Sequence, residues 1–306
     1  MSKTEQKILV IGIPYFARKL AKNLQELNSD VSFIALDTSK TFLDKIRYVY
    51  HIWSAKTIYQ IGGNAYLGGA LRFAYLLRKR LVFHWVGTDV LMAQGNFKNH
   101  TANIKFLEYV EHLCEVHWIQ EELNELGIFP QIMQIACIDQ IDNLPTSFPE
   151  QFSILTYMTP GREEFYGLSK IVALAEQFPN IKIRIVGIST YHSKLPSNIE
   201  IRGWVSDMKK EYLDSCLYLR LPEHDGLSFS VLEAMSLGRY VGYSQRLEGT
   251  EQVTDFDSLI KLIISLKEKH SLGELSLNFE GINFVKNNFQ KDSVLKELKK
   301  YLTQVK

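Results

Sequence analysis

The chain has 306 residues, enough for two domains of ordinary size, and at 46% hydrophobic and 23% charged its composition is that of a globular protein. Its 35 basic and 34 acidic side chains nearly cancel, which removes any global electrostatic case for nucleic acid. No run approaches the roughly 18 apolar residues of a membrane span, and three scattered cysteines, Cys114, Cys137 and Cys216, argue against a disulfide framework and for a reducing, cytoplasmic setting.

The start, MSKTEQKILVIG, passes straight into a strand pattern with no signal-peptide core. Short Ile/Val-rich runs at 7–12, 31–37, 57–63, 81–87, 114–120 and 131–138 read as buried strands. Helix patterns fall at about 16–27 and 65–79. The proline-bearing stretch 139–151 breaks the alternation and reads as a linker. Strands then restart at 152–158, 181–188, 199–205, 216–222 and 240–245, with helices at about 168–177, 207–215, 229–237, 257–269 and 291–304. Such alternation implies parallel sheets covered on both faces. The expected organisation is a first Rossmann-like domain over 1–145, a second over 146–288, and a terminal helix in 289–306 returning toward the first.

Open parallel sheets bind ligands beyond the carboxyl ends of their strands. That rule selects Gly12, Gly62–Gly63 and Gly87–Asp89 in the first half. In the second it selects Gly161–Arg162, Gly187, Gly203–Trp204 and Asp225–Ser228. The densest stretch is RLPEHDGLSFSVLEAMSLGRYVG, 220–242, with Asp225 and Glu233 across a loop-to-helix junction. A helix starting near Ser230 would turn its free N–H groups toward an anion, with Glu233 in its first turn. The plainer reading is that Ser230 and Glu233 form a capping box, worth about 1 kcal/mol.

The stretch HDGLSFSVLEAMSLGRYV resembles the signature of retaining GT-B glycosyltransferases of the family-four type: acid, Gly, aromatic, Gly, Leu, Pro, two residues, Glu, Ala, then a turn ending in Gly-x-Pro-Val. The resemblance implies an α/β GT-B fold, two doubly wound parallel-sheet domains facing across a cleft. It places Asp225 on the donor sugar, the amides of Gly226, Leu227 and Ser228 on sugar and phosphate, and Glu233 on the ribose. Ser228, Ser230 and Tyr240 depart from the pattern. ILTYMTPGREEFYGLSKIVALAEQFPNIKIRIVG resembles the family's donor-domain opening, so Gly161–Arg162 would serve the diphosphate; the usual Lys position holds Tyr166. The turn Gly203, Trp204, Val205 matches the segment that lines the nucleobase. VFHWVGTDV resembles the acceptor-side element, which nominates His84, Gly87, Thr88 and Asp89 with Gly63, while Gly12 joins the donor side. A lone strand histidine, however, is more often a satisfied core residue.

The implied activity is retaining transfer of a sugar from a nucleotide-sugar, UDP-linked, to a glycan, lipid-linked or protein-linked acceptor. The nucleotide-sugar is the co-substrate, and no cofactor or metal is required. Two alternatives stay open: a non-catalytic GT-B subunit that binds a partner glycosyltransferase or a glycan, favoured by Tyr166, and more weakly a nucleotide-sugar epimerase. Other patterns carry less. Asp255-Phe256-Asp257 spells a metal-binding triplet, but it precedes a helix where Asp257 would be an N-cap. His112, Cys114 and His117 lack a zinc-ligand spacing. No G-x-G-x-x-G follows the first strand, and no G-x-S-x-G elbow is present. The acid-free segment 45–88 interleaves basic side chains with aromatics, which suits either an anionic membrane surface or an ordinary helix covering a sheet.

Overall fold

The computed structural model describes residues 6–27, 30–38, 41–139, 141, 144 and 147–304. The expected linker therefore falls partly outside the described residues. The chain divides into two compact units, Met1–Cys137 with Lys291–Lys306, and Ile138–Gln290.

In the first unit the elements run β1 (Gln6–Gly12), α1 (Pro14–Glu26), β2 (Val31–Ala35), α2 (Phe42–Ser54), β3 (Thr57–Ile61), α3 (Gly69–Leu76), β4 (Arg80–Trp85), α4 (Thr88–Lys98), α5 (Ile104–Tyr109), β5 (Glu111–Cys114), α6 (His117–Glu125) and β6 (Gln131–Ile132). The sheet is parallel throughout, in the order β2-β1-β3-β4-β5-β6. Strands buried on both faces need continuous apolar runs, and Ile8 to Ile11 in β1 supply one. Pro14 sits at the start of α1, where its missing N–H costs nothing.

The second unit runs β7 (Ser153–Tyr157), a 3₁₀ turn (Glu164–Tyr166), α7 (Leu168–Gln177), β8 (Lys182–Val186), β9 (Ile199–Gly203), α8 (Met208–Leu213), β10 (Leu217–Arg220), α9 (Phe229–Ser236), β11 (Tyr240–Tyr243), β12 (Glu251–Gln252), α10 (Phe256–Ser271) and α11 (Phe279–Asn288). Its parallel sheet has the order β12-β11-β10-β7-β8-β9. Ile154, Ile183, Ile185, Leu217 and Leu219 from the strands pack with Ile171 and Leu174 of α7 and Leu259 and Ile263 of α10. The last helix, α12 (Lys291–Thr303), belongs to the first unit, where Leu295, Leu298 and Leu302 join the core of β1 and α1. Two doubly wound parallel-sheet units are the α/β architecture of the GT-B fold.

Two expected strands take another form. The run 114–120 is mostly helix, because Ile119 and Leu123 are buried one helical turn apart in α6. The run 131–138 pairs with β5 only at Gln131–Ile132, because the Glu115 carboxylate accepts the N–H groups of Ile135 (2.9 Å) and Ala136 (2.7 Å). Those amides are satisfied by a side chain, so the ladder stops there.

Candidate functional site

In the second unit β7 and β10 are neighbours, yet the chain leaves β7 for β8 on one side and reaches β11 from β10 on the other. The strand order reverses between them, and ligands of open parallel sheets bind outside the carboxyl ends at such a reversal. Two loops meet there. After β7 comes Gly161 to Gly167; after β10 comes Leu221 to Ser230. The Glu223 N–H donates to Phe165 O at 2.9 Å. Gly167 has φ of 83°, and a Cβ there would lie 3.0 Å from Leu221 O, so only glycine lets the loops approach this closely.

Arg162 is exposed, and its guanidinium lies 4.0 Å from the centroid of the Phe165 ring. Gly161 has φ of 75°, and its N–H donates to Glu163 Oε1 at 3.0 Å. Tyr166 is half-buried, edge-on to Tyr157, and the Arg220 guanidinium sits 4.7 Å from its ring centroid. The sequence pattern does not nominate Arg220. It also grips Asp225: Nε donates to Oδ2 at 2.8 Å and Nη2 to Oδ1 at 3.1 Å. The Tyr243 hydroxyl donates to Gly226 O at 2.7 Å and reaches Asp225 Oδ2 at 3.3 Å. Both Asp225 oxygens are thus engaged within the protein. Gly226, Leu227 and Ser228 are buried behind that network.

The capping box does not form. The N-cap of α9 is Ser228, without a side-chain capping bond. Ser230 lies inside the helix, its Oγ taking the Tyr218 hydroxyl at 2.8 Å and pairing with Ser228 Oγ at 2.8 Å. Glu233 therefore falls in the second turn, not the first. It is half-buried, and Oε2 accepts from the Tyr212 hydroxyl at 3.1 Å. Trp204, after β9, is 83% exposed beside half-buried Gly203 and Val205. Gly203 O accepts from the Gly187 N–H at 2.8 Å.

In the first unit the strand order reverses between β1 and β3. Gly12, ending β1, has φ of 105°, and a Cβ there would lie 1.9 Å from Ile61 O. A Cβ on Gly63 would lie 2.1 Å from the Trp85 ring. Asp89 ties these loops: it accepts the N–H groups of Gly63, Val86 (3.1 Å) and Gly87 (2.7 Å). Burial pushes its pKa up while these amides pull the other way. Gly87 has φ of 133° at the start of α4, and Thr88 is exposed. His84 is fully buried, its Nδ1 2.8 Å from the Tyr59 hydroxyl, and burial pushes its pKa down to about 3. His84 thus packs in the core beside Tyr59, and Asp89 ties three loop amides.

Asp255, not Asp257, is the N-cap of α10, accepting the Ser258 N–H at 2.7 Å while Ser258 Oγ accepts the Asp255 N–H at 3.1 Å. His112 Nδ1 accepts from Trp85 Nε1 (3.1 Å) and its Nε2–H faces Leu107 O (2.9 Å), while burial drives the Cys114 pKa up to about 12. Among the described residues, no three His, Cys, Asp or Glu side chains gather to hold a metal ion. Nor, among them, is any helix long and apolar enough to cross a membrane.

No protein-family model matches the sequence, and no curated protein matches it. The fold is shared with solved structures. Sucrose-phosphate synthase from Thermosynechococcus elongatus aligns over 97% of this chain and 98% of its own, at 13% identity and a TM-score of 0.67. A point mutant of S. aureus TarM, in complex with fondaparinux, alpha-GlcNAc-glycerol and UDP, aligns over 85% of this chain at 12% identity and a TM-score of 0.60. The pneumococcal O-GlcNAc transferase GtfA, in complex with UDP and GlcNAc, aligns over 84% at 12% identity and a TM-score of 0.59. This chain covers 59% of the TarM chain and 58% of the GtfA chain.

Proposed function

We propose that this protein is a retaining glycosyltransferase that moves a sugar from a UDP-sugar to a glycan, lipid-linked or protein-linked acceptor without a metal ion. The observation that carries this reading is that the loop holding Arg162 and the loop leading into α9 meet where the second sheet reverses its strand order, joined by the Glu223 N–H on Phe165 O. A guanidinium and a helix N-terminus are what a diphosphate needs. The Glu233 carboxylate is an acceptor suited to the vicinal hydroxyls of a ribose. Trp204 offers an exposed aromatic face to a nucleobase. Fold-sharing structures of TarM and GtfA contain UDP, which supports UDP as the carrier.

Charge builds on the leaving diphosphate as the glycosidic bond breaks, and preorganised cations and dipoles stabilise it without reorganising. Arg162 is exposed and stacked on Phe165, so Arg162→Ala removes a cation and leaves the core alone. Sugar transfer, assayed with a panel of UDP-sugars in the presence of EDTA, falls a hundredfold or more in this variant, with an unchanged melting temperature. A wild type with no transfer and no donor hydrolysis would instead support the non-catalytic subunit, the reading that Tyr166 in the lysine position favours.

The acceptor is reached through a membrane-facing α2 in this proposal. Leu43, Ile46, Tyr50 and Trp53 form an exposed apolar stripe on that helix, flanked by exposed Lys45 and Arg47, while Tyr48 and Ile52 face the core. An apolar stripe edged with cations suits an anionic lipid surface. Tyr50→Ser with Trp53→Ser lowers cosedimentation with phosphatidylglycerol vesicles several-fold; equal binding by variant and wild type rules this contact out.

A further inference from the structure

Arg220 ends β10 at the strand-order reversal of the second sheet, and every contact it makes holds it in one orientation. Nε and Nη2 form a fork on Asp225 at 2.8 and 3.1 Å, and the guanidinium plane rests on the Tyr166 ring at 4.7 Å. Tyr243, from the neighbouring strand β11, fixes the far side of Asp225 and the Gly226 carbonyl. The 3₁₀ turn that carries Tyr166 is itself pinned by the Glu223 N–H on Phe165 O. Side-chain exposures are 11% for Arg220 and 15% for Asp225, so the pair is nearly dry. Buried ion pairs seldom add stability over apolar side chains of the same volume, so the pair calls for another use. Among the described residues Nη1 has no acceptor, which leaves one edge of a rigidly held guanidinium open.

We propose that Arg220 is the second cation of the donor site, offering Nη1 to the diphosphate of a nucleotide-sugar, and that Asp225 is its positioning residue and not a contact of the sugar. The inference rests on the glycosyltransferase reading and deepens it. Tyr166 stands where the family resemblance expects a lysine on the α7 side. Its ring instead floors a guanidinium delivered from β10, so the positive charge returns from a different strand. Arginine suits this task because it can spend one edge on Asp225 and keep donors for a phosphate oxygen. When the sugar C1–O bond breaks, its electron pair goes to the diphosphate oxygen, the acceptor hydroxyl oxygen bonds C1 and passes its proton to that departing oxygen, and Arg162 and Arg220 both stabilise the building charge without gaining or losing a proton.

The test is calorimetric titration of UDP and GDP, each beside its own nucleoside, into wild type, Arg220→Gln and Asp225→Asn. Arg220→Gln lowers the affinity for the diphosphate that binds wild type by more than tenfold and leaves the nucleoside unchanged. Asp225→Asn, which loosens the fork but keeps the cation, lowers it less. Adding Tyr166→Lys to Arg220→Gln restores most of the loss. Should Arg220→Gln strand Asp225 and unfold the protein, Arg220→Gln with Asp225→Asn removes both charges and gives the same readout. A diphosphate-to-nucleoside affinity ratio unchanged by Arg220→Gln, while Arg162→Ala lowers it, overturns this proposal and leaves the glycosyltransferase reading standing. A wild type that binds neither nucleotide overturns both.

Discussion

Glu115 follows β5 with its carboxylate on the amides of Ile135 and Ala136, fully away from water, and burial raises its pKa to about 7. The ordinary value, close to that of the unfolded chain, is 4.5. Folding therefore favours the protonated acid, and this stabilisation is complete below pH 4.5 and is lost as pH rises to about 7. At one pKa unit per 1.36 kcal/mol the range is on the order of 3 kcal/mol. Gln keeps the amide acceptor without the ionisation, so Glu115→Gln raises the melting temperature over wild type at pH 8 and leaves it nearly equal at pH 5. Scanning calorimetry at the two values checks this; a difference independent of pH removes Glu115 as its cause. His84 acts with the opposite sign. Its folded value near 3 lies below the ordinary 6.5, so the neutral ring's contribution is present above pH 6.5 and fades as pH falls toward 3. Neither group needs a substrate to explain it.

The glycine loops of the first unit work as one element. Gly63 abuts the Trp85 ring, its N–H is held by Asp89, and Asp89 also holds the loop that starts α4. A Cβ at Gly63 must displace a fully buried indole, so Gly63→Ala costs about 1–3 kcal/mol by overpacking. A fall in the urea midpoint at constant slope measures it, and an unchanged midpoint shows that Trp85 can move aside. Gly63 and Asp89 are legible in the sequence as glycine and acid at strand ends, but a spacing cannot say that they serve each other. Apolar periodicity locates α7 and α10 closely, because each buries one stripe on its sheet. The same signal misses α2, whose apolar residues lie on both a buried and an exposed face. Ser230-x-x-Glu233 spells a capping box that tertiary contact overrides, since the Tyr218 hydroxyl takes Ser230 Oγ. Arg220 is invisible for the converse reason: its meaning lies in Tyr166, distant in sequence, and in Asp225 as a partner.

The chain passes between the two units twice, after Cys137 and after Gln290. The second passage makes the first unit depend on α12, which follows the whole second unit in the chain. Leu295, Leu298 and Leu302 of α12 are buried against β1 and α1. Arg80, at the start of β4, donates from Nη1 to the carbonyls of Leu302 and Gln304, both at 3.0 Å, while its Nε and Nη2 fork onto Glu111. The Tyr301 hydroxyl donates to the same Glu111 at 2.8 Å. Removing one buried leucine side chain costs about 2–5 kcal/mol, so losing three exhausts the roughly 5–15 kcal/mol that holds a domain folded. The second unit keeps its whole core in a chain ending at Gln290. Hydrogen exchange of that truncated chain shows amides of β1, β3 and β4 unprotected and those of β7, β8 and β10 as slow as in the full chain. Leu298→Ala, milder by design, lowers protection in the first sheet alone. Equal protection of both sheets in the truncated chain would mean that the first unit folds without α12, and that the buried leucines are dispensable packing.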